Sequence, residues 1–421
     1  MHLFRKLLNN DYSLSMIKKF TMMMLGLLTS SLTVRALGLN LRGQQTYILN
    51  IENMLMLFLG LGVHNSYLIL RKKGYDLFLL KQKYFNFCSA LFLLYLIISV
   101  IAMFFFPEDL FPIVLMITSF NIFAGQLGNI YLIENFKGHA LLYTLNTVFN
   151  LILIIIVFFL FPRNLTAVLA TYVLCYLFII IGCMFLMKIK PNPFFLDFRF
   201  IKKMLLLGFY PMLIGLLNVI NYNFDTLMLK EMNVSYDQIA LYSIGTTLAG
   251  YLWLFPDMFK NISFSRSAKG NAVESICFSL RVSNSITILL MLIILIFGKF
   301  IIFILYGGEF VPAYQVSLLI LLGVPALGIY KIISPIYISD SHSQIVFFSL
   351  LVSVITNIIL NFIFISYYSI IGAAVASLIS YSICGLYILF DFKQRYQLQY
   401  RDLFILHKAD IKQISHFIFK V

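Results

Sequence analysis

Charge is what this sequence has least of. Asp, Glu, Lys and Arg make up 11% of its 421 residues, less than half of the roughly 25% usual in a soluble domain. So little charge cannot cover a water-facing surface, which excludes a soluble globular enzyme. A hydrophobic fraction of 61% equally excludes a disordered chain, which needs low hydrophobicity and high charge. The five cysteines (Cys88, Cys175, Cys183, Cys277 and Cys384) form no CxxC pair. That removes the pattern of a disulfide framework or a zinc site and leaves them as small apolar fillers. His64 has no second histidine nearby, so no metal site is expected. No G-x-x-x-x-G-K-[ST] occurs, so the chain carries no signature for nucleotide hydrolysis.

What is present is apolar length. With a mean hydropathy of +0.93 and 43 Phe, the class is an all-α polytopic membrane protein. Some of those rings could stack on sugars, but most must face lipid or neighbouring helices, and no single Phe stands out. Since about 20 apolar residues cross the hydrocarbon core as a helix, the sequence predicts twelve spans. They are placed at 16–38, 47–70, 84–106, 110–133, 140–161, 165–188, 204–229, 238–259, 282–306, 314–338, 343–366 and 369–391. The first run follows Arg5, Lys6, Lys18 and Lys19 and ends without an A-x-A site, so it is expected to stay as a span rather than be cleaved.

Sorting Lys and Arg between alternate connections puts 26 of the 31 on one side. The other side has only Arg35, Arg42, Arg163, Lys230 and Lys299. By the positive-inside rule both termini are cytoplasmic. The net charge of +14 is then a property of cytoplasmic loops, and nucleic acid is not an expected partner. All connections are too short for an ATPase or an outer domain.

The chain reads as a duplication. Ile17-Lys18-Lys19 opens one half and Ile201-Lys202-Lys203 the other. Phe106-Pro107-Glu108-Asp109-Leu110-Phe111-Pro112 matches Tyr306-Gly307-Gly308-Glu309-Phe310-Val311-Pro312 in position. Asn146 and Asn150 correspond to Asn357 and Asn361, both pairs at i, i+4. Two six-helix lobes with the same insertion direction would be related by a pseudo-two-fold axis along the membrane normal, with a substrate site between them. The expected organisation is a lobe at 1–190, a linker at 191–203 beginning Pro191-Asn192-Pro193, a lobe at 204–391 and a basic tail at 392–421.

These segments resemble a known family. Val34-Arg35-Ala36-Leu37-Gly38, Arg42-Gly43 and Gly60-Leu61-Gly62 are similar to the first helix pair of polysaccharide-repeat (O-antigen, Wzx-type) flippases. Those belong to the multidrug/oligosaccharidyl-lipid/polysaccharide exporter superfamily. Asn223-Phe224-Asp225-Thr226-Leu227-Met228-Leu229, Ile239-Ala240-Leu241-Tyr242-Ser243, Leu305-Tyr306-Gly307-Gly308-Glu309-Phe310 and Gly372-Ala373-Ala374-Val375-Ala376 extend the likeness over essentially the whole chain. The resemblance implies a MATE-like fold in a bacterial inner membrane. The implied activity is flipping of an undecaprenyl-pyrophosphate-linked oligosaccharide from the cytoplasmic to the periplasmic face for O-antigen or capsule synthesis. A polysaccharide polymerase and chain-length machinery would be downstream partners. Related lipid II flippases usually have fourteen spans, against twelve here. The alternatives are an ion-coupled multidrug antiporter of the same superfamily and a membrane polysaccharide polymerase.

Ionisable residues inside spans are costly and face a cavity or a partner. An anionic pyrophosphate–sugar headgroup calls for Arg, whose fork matches phosphate oxygens. Arg35, near the outer end of span 1, is therefore the first candidate for headgroup contact, against snorkelling to the surface. Arg42 is expected in a connection, at the mouth of the path or simply solvated. Lys331, between the helix breakers Pro325 and Pro335, suits a gate or a phosphate contact, against snorkelling. Asn218, Asn221, Tyr222 and Asp225 share one helical face, as a sugar- or cation-binding surface or as interhelical glue. Glu52, beside Asn50 and Asn53, is a candidate coupling site for H+ or Na+, or a salt-bridge partner of Arg35 or Arg42. Asp257, between Pro256 and Lys260, is a second ion-coupling candidate or half of an ion pair. Asn121, Gln126 and Asn129, with Gly125 and Gly128, read first as tight helix packing. No cofactor and no catalytic residue is expected.

Overall fold

A computed structural model describes residues 11–106, 110–190, 192–259, 272–339, 342–407 and 410. Arg5 and Lys6, the connecting residues Pro107, Glu108 and Asp109, the linker's Pro191, and Lys260 beside Asp257 lie outside the described residues. All regular structure among the described residues is helical: α1 (Asp11–Leu59), α2 (Val63–Lys72), α3 (Leu77–Phe105), α4 (Leu110–Glu134), α5 (Phe136–Leu160), α6 (Leu165–Met187), α7 (Phe198–Glu231), α8 (Tyr236–Gly250), α9 (Ala272–Tyr306), α10 (Ala313–Ser339), α11 (Ser343–Arg395) and the short α12 (Tyr400–Phe404). A 3-10 turn, Tyr251–Trp253, carries α8 onward. Local chemistry sets several starts: Asp76, Asn135, Asn164 and Ser235 each cap a helix by accepting a backbone N–H three residues on.

Ten of these helices, counted among the described residues, are long and apolar enough to cross a membrane. The expected spans 1 and 2 share α1, and spans 11 and 12 share α11, with no intervening loop. Each long helix is interrupted at one residue. In α1 this is Gly38 (φ 72, ψ −175), a region essentially restricted to glycine. In α11 it is Ser369 (φ 51, ψ −130), whose hydroxyl donates to Gln238 Oε1 at 2.9 Å. The second expected span, 47–70, is not one helix either. It stops at Leu59, turns through Leu61 (φ 53) and Gly62 (φ 61), and resumes at Val63 as α2. The sequence showed one apolar run; the left-handed turn is what divides it.

Packing separates two units, Ile17–Ile220 and a second from Asn221 onward. The division falls inside α7, which itself begins within the stretch expected as a linker. In the Ile17–Ile220 unit, one core gathers Tyr67, Tyr84, Phe85, Leu127 and Met204, all essentially without solvent contact. A second places Ile48 of α1 against Val114, Ile117 and Leu169. Gly62 and Gly208 approach so closely that a Cβ on either would strike the other's carbonyl oxygen. In the unit from Asn221, α10 packs along α11 and α8. Small residues permit it: Ala373, Ala374 and Ala376 are fully buried, and a Cβ on Gly385 would run into the backbone of Ala326. This is how helices associate where hydrophobicity gives no drive between them. α10 continues through both Pro325 and Pro335, which were expected as breakers.

The distribution of polarity is that of a membrane protein. Phe104, Phe185 and Ile296 are 82%, 79% and 71% exposed, whereas Asn221, Asn357 and Asn361 are completely buried. Apolar exteriors of this kind are stable in hydrocarbon and aggregate in water.

Candidate functional site

Both units bury a carboxylate. In the unit from Asn221, Asp225 of α7 is 1% exposed. Its Oδ2 accepts hydrogen bonds from Tyr242 Oη of α8 at 2.6 Å and from Ser377 Oγ of α11. Its Oδ1 accepts from Asn361 Nδ2 at 2.6 Å, and the same amide group reaches Asn357 Oδ1 at 3.0 Å. Around this centre, Ser353 Oγ bridges Asn221 Oδ1 (3.1 Å) and the Ser380 carbonyl (2.8 Å). All of these partners are neutral, and most present oxygen. Asn361 Oδ1 is itself buried with no hydrogen-bond partner among the described residues. A carboxylate surrounded in this way can hold a proton or coordinate a small monovalent cation without leaving the helix bundle.

The expected polar face of α7 divides. Asn221 and Asp225 enter the buried cluster. Tyr222 turns to an aromatic group, with its ring 5.3 Å from Trp253 and 6.2 Å from Tyr381. Asn218 bonds back to the Ile214 carbonyl of its own helix at 2.9 Å. Lys331 extends into that aromatic group, its Nζ 4.9 Å from the Trp253 ring and 5.7 Å from Tyr222. Asp257 completes its environment with an ion pair at 3.2 Å. Lys331 is thus held by two rings and a carboxylate, a cation–π arrangement.

In the Ile17–Ile220 unit, Glu52 of α1 is 2% exposed. Its Oε1 accepts from Asn121 Nδ2 of α4 at 2.8 Å and Tyr176 Oη of α6 at 2.9 Å. Among the described residues it forms no salt bridge with Arg35 or Arg42. Arg42, expected in a connection, lies on α1 beyond the Gly38 break and donates to Gln45 Oε1 at 2.6 Å. Gln45 in turn donates to Tyr172 Oη at 3.1 Å. Arg35 is exposed, three residues before Gly38.

One helical turn beyond Glu52, residues of α1, α2, α4 and α7 line a partly open cavity of about 180 Å3. Gln126 and Asn129, expected to be packing residues, line it together with Asn65. The sequence reading missed Tyr176, Ser377 and Ser353 as members of polar clusters. Their only signal was polarity within apolar runs, which they share with many other hydroxyl residues here. Asn357 and Asn361 were noticed as marks of repetition, not as partners of Asp225.

No family model matches the chain, and no curated protein matches it. Solved structures do. Over 90% of this chain and 87% of the other, it superimposes with a TM-score of 0.74 and 20% identity on the lipid II flippase MurJ in an inward closed conformation. An inward-facing multidrug resistance MATE family transporter of the MOP superfamily gives a TM-score of 0.70 at 12% identity, covering 91% and 98%. A MOP superfamily transporter from Pyrococcus furiosus, described as having reversed polarity of its binding pocket, gives 0.62 at 12% identity, covering 93% and 97%. The likeness is one of fold, shared by lipid flippases and multidrug transporters.

Proposed function

We propose that this protein is a flippase for a lipid-linked oligosaccharide. In this reading it carries an undecaprenyl-pyrophosphate-linked repeat from the cytoplasmic to the periplasmic face of a bacterial inner membrane, supplying O-antigen or capsule synthesis. Counting α1 and α11 as two spans each gives twelve, arranged as two six-helix lobes that alternate access about a pseudo-two-fold axis. Both termini are cytoplasmic on the distribution of Lys and Arg.

The observation that carries the choice of cargo is the position of Lys331. A multidrug antiporter takes organic cations, and the chemistry that recognises them is an aromatic cage with a nearby carboxylate. Here Tyr222, Trp253 and Asp257 already hold the chain's own cation. That favours an anionic headgroup, with Lys331 exchanging Asp257 for a phosphate and Arg35 and Arg42 as further cationic contacts. The Asp225 cluster is the coupling site in this scheme: proton or Na+ occupancy of its oxygens would bias the position of α7. Glu52 is the corresponding proton-binding candidate in the other unit. A polymerase would need a large outer loop, which the sequence lacks.

The test is the sidedness of lipid-linked intermediates in cells lacking the protein. Complete repeats accumulating on the cytoplasmic face, with loss of surface polymer, support flipping. Single repeats that reach the periplasm without being polymerised would indicate a polymerase. Unchanged intermediates with altered drug sensitivity would indicate the antiporter.

A further inference from the structure

The chain between α6 and α7 is tied down, yet it turns its largest side chains outward. Asn86 of α3, 2% exposed, grips it twice. Its Nδ2 donates to the Phe195 carbonyl at 3.0 Å, and its Oδ1 accepts from the Asn192 N–H at 2.8 Å. Lys83 pairs with Asp197 at 2.8 Å, and Lys203 donates to Tyr75 Oη. On this frame Phe194, Phe195 and Phe198 are 91%, 78% and 77% exposed. Apolar rings displayed on a pinned segment mark a surface that something else covers.

Basic residues flank the rings. Lys188 and Lys190 precede them in sequence, Arg199 and Lys202 lie beside or after them, and all four are exposed. None forms a salt bridge among the described residues. The acidic groups at this end of the unit are already engaged: Glu134 by Arg71 and Lys81, and Asp197 by Lys83. Asp76 caps α3 through the Leu79 N–H. The patch therefore calls for anions from outside the chain. Depth indicates which. Phe185 and Leu186, in the last turn of α6, are 79% and 48% exposed, and Leu206 of α7 is 70% exposed. Within spans, such faces meet acyl chains. Lys188 follows Leu186 closely, and Lys202 precedes Leu206 by one helical turn, about 6 Å. The headgroup layer on each side of a bilayer is itself about 5–7 Å deep. These cations thus stand at the level of lipid phosphates, where basic residues attract anionic lipid and aromatic rings settle.

We propose that this end of the Ile17–Ile220 unit is a binding surface for anionic phospholipid. Lys188, Lys190, Arg199 and Lys202 contact the phosphates, and Phe194, Phe195 and Phe198 sit at the boundary between headgroups and acyl chains. The two signals act together: cations alone are screened by salt, and rings alone do not distinguish one lipid from another. The surface concerns attachment rather than cargo, so the inference does not rest on the flippase reading.

The experiment titrates the full-length protein in detergent with phosphatidylglycerol or phosphatidylcholine, read by native mass spectrometry and melting temperature. Phosphatidylglycerol is expected to be retained and to raise Tm, and phosphatidylcholine is not. Arg199→Gln with Lys202→Gln should leave the Tm of the lipid-free protein unchanged, since both side chains are exposed. The same double variant should weaken phosphatidylglycerol binding about tenfold or more, because each cation near an anionic surface contributes about a factor of five. Lys393→Gln with Arg401→Gln removes the same charge from the other unit and should cost about twofold or less.

Depth is read separately. The five cysteines of the chain are buried, so an environment-sensitive dye can be attached selectively at Phe194→Cys in nanodiscs containing phosphatidylglycerol. Its emission should be that of a membrane interface and should be quenched by lipids spin-labelled near the headgroup. Equal binding of the two lipids overturns the inference, and so do equal losses in the two double variants, the result of unspecific charge attraction. Aqueous emission at Phe194→Cys overturns it as well and leaves the rings to a protein partner.

Discussion

The two buried carboxylates solve the same problem differently. Asp225 receives hydrogen bonds on both oxygens, from α8 and from both segments of α11, and those donors are themselves linked to further amides and hydroxyls. Glu52 receives two, both on Oε1. Neither has an ionic partner among the described residues. A third buried charge provides the contrast: Arg281 is answered by Asp410, with paired contacts of 2.7 Å to its two oxygens. Charges meant to stay charged in the interior are paired. The lesson is that Asp225 and Glu52 are held by neutral hydrogen-bond donors rather than by an opposite charge, and that the Asp225 shell is the more fully built.

The sharpest way to break this comparison is to neutralise each acid in turn. If the protein is the proposed flippase with Asp225 as its coupling site, Asp225→Asn should reduce export by about 100-fold or more at normal membrane levels, a change of roughly 3 kcal/mol, while Glu52→Gln should cost about tenfold or less. Surface polymer normalised to membrane protein measures both. Equal losses would erase the distinction drawn between the two shells.

Next in size is the paired charge. Asp410→Ala strands Arg281 in the interior and should destabilise the protein by about 3–5 kcal/mol, visible in thermal melts. Replacing both, with Arg281→Met and Asp410→Leu, should recover most of that loss. Burial pushes the Asp410 carboxyl up, but hydrogen bonds from Arg281 and the His407 N–H, with the guanidinium charge, outweigh it and hold the group below the usual carboxylate range. Its contribution is therefore complete above the unfolded value of about 3.9 and is lost as pH falls through the lowered folded value. Wild-type and Asp410→Asn melting curves should differ at neutral pH and converge in strong acid.

A smaller effect separates the matched asparagine pairs. Asn361→Ala removes a donor to Asp225 and should cost about 1–3 kcal/mol. Asn150→Ala should be neutral or slightly stabilising, since Asn150 Oδ1 is buried without a partner among the described residues. The smallest effect is expected at the exposed Lys83–Asp197 pair, 2.8 Å apart. The Lys83 hydrogen bond lowers the Asp197 carboxyl, but solvent screens the interaction, and Lys83→Met should leave Tm unchanged.

Much of the fold was legible because hydrocarbon imposes a simple rule on sequence. Long apolar runs must be helices, but their starts were not all legible: the helices capped by Asp76 and Asn135 begin at Leu77 and Phe136, ahead of the expected 84 and 140. The continuity of α1 and α11 was not legible, since a Gly or Ser inside an apolar stretch can end a helix or interrupt it at one residue. Asp225 stood out because a carboxylate amid Asn223-Phe224 and Leu227-Met228-Leu229 is costly. Its partners did not, because Tyr242, Ser377 and Asn361 lie 17, 152 and 136 residues away, and nothing local distinguishes them from other polar residues in spans.

Composition and the pattern of apolar runs by themselves determined that this is a helical membrane protein. Those properties are local or additive, since each residue's transfer energy counts wherever the chain goes. Tertiary structure decided which polar residues became partners, that Arg42 sits on a helix, that Lys331 faces Tyr222 and Trp253, and that Gln126 lines a cavity. Each depends on which helix faces meet at a few ångströms, and hydrogen bonds and packing are specified only at that range.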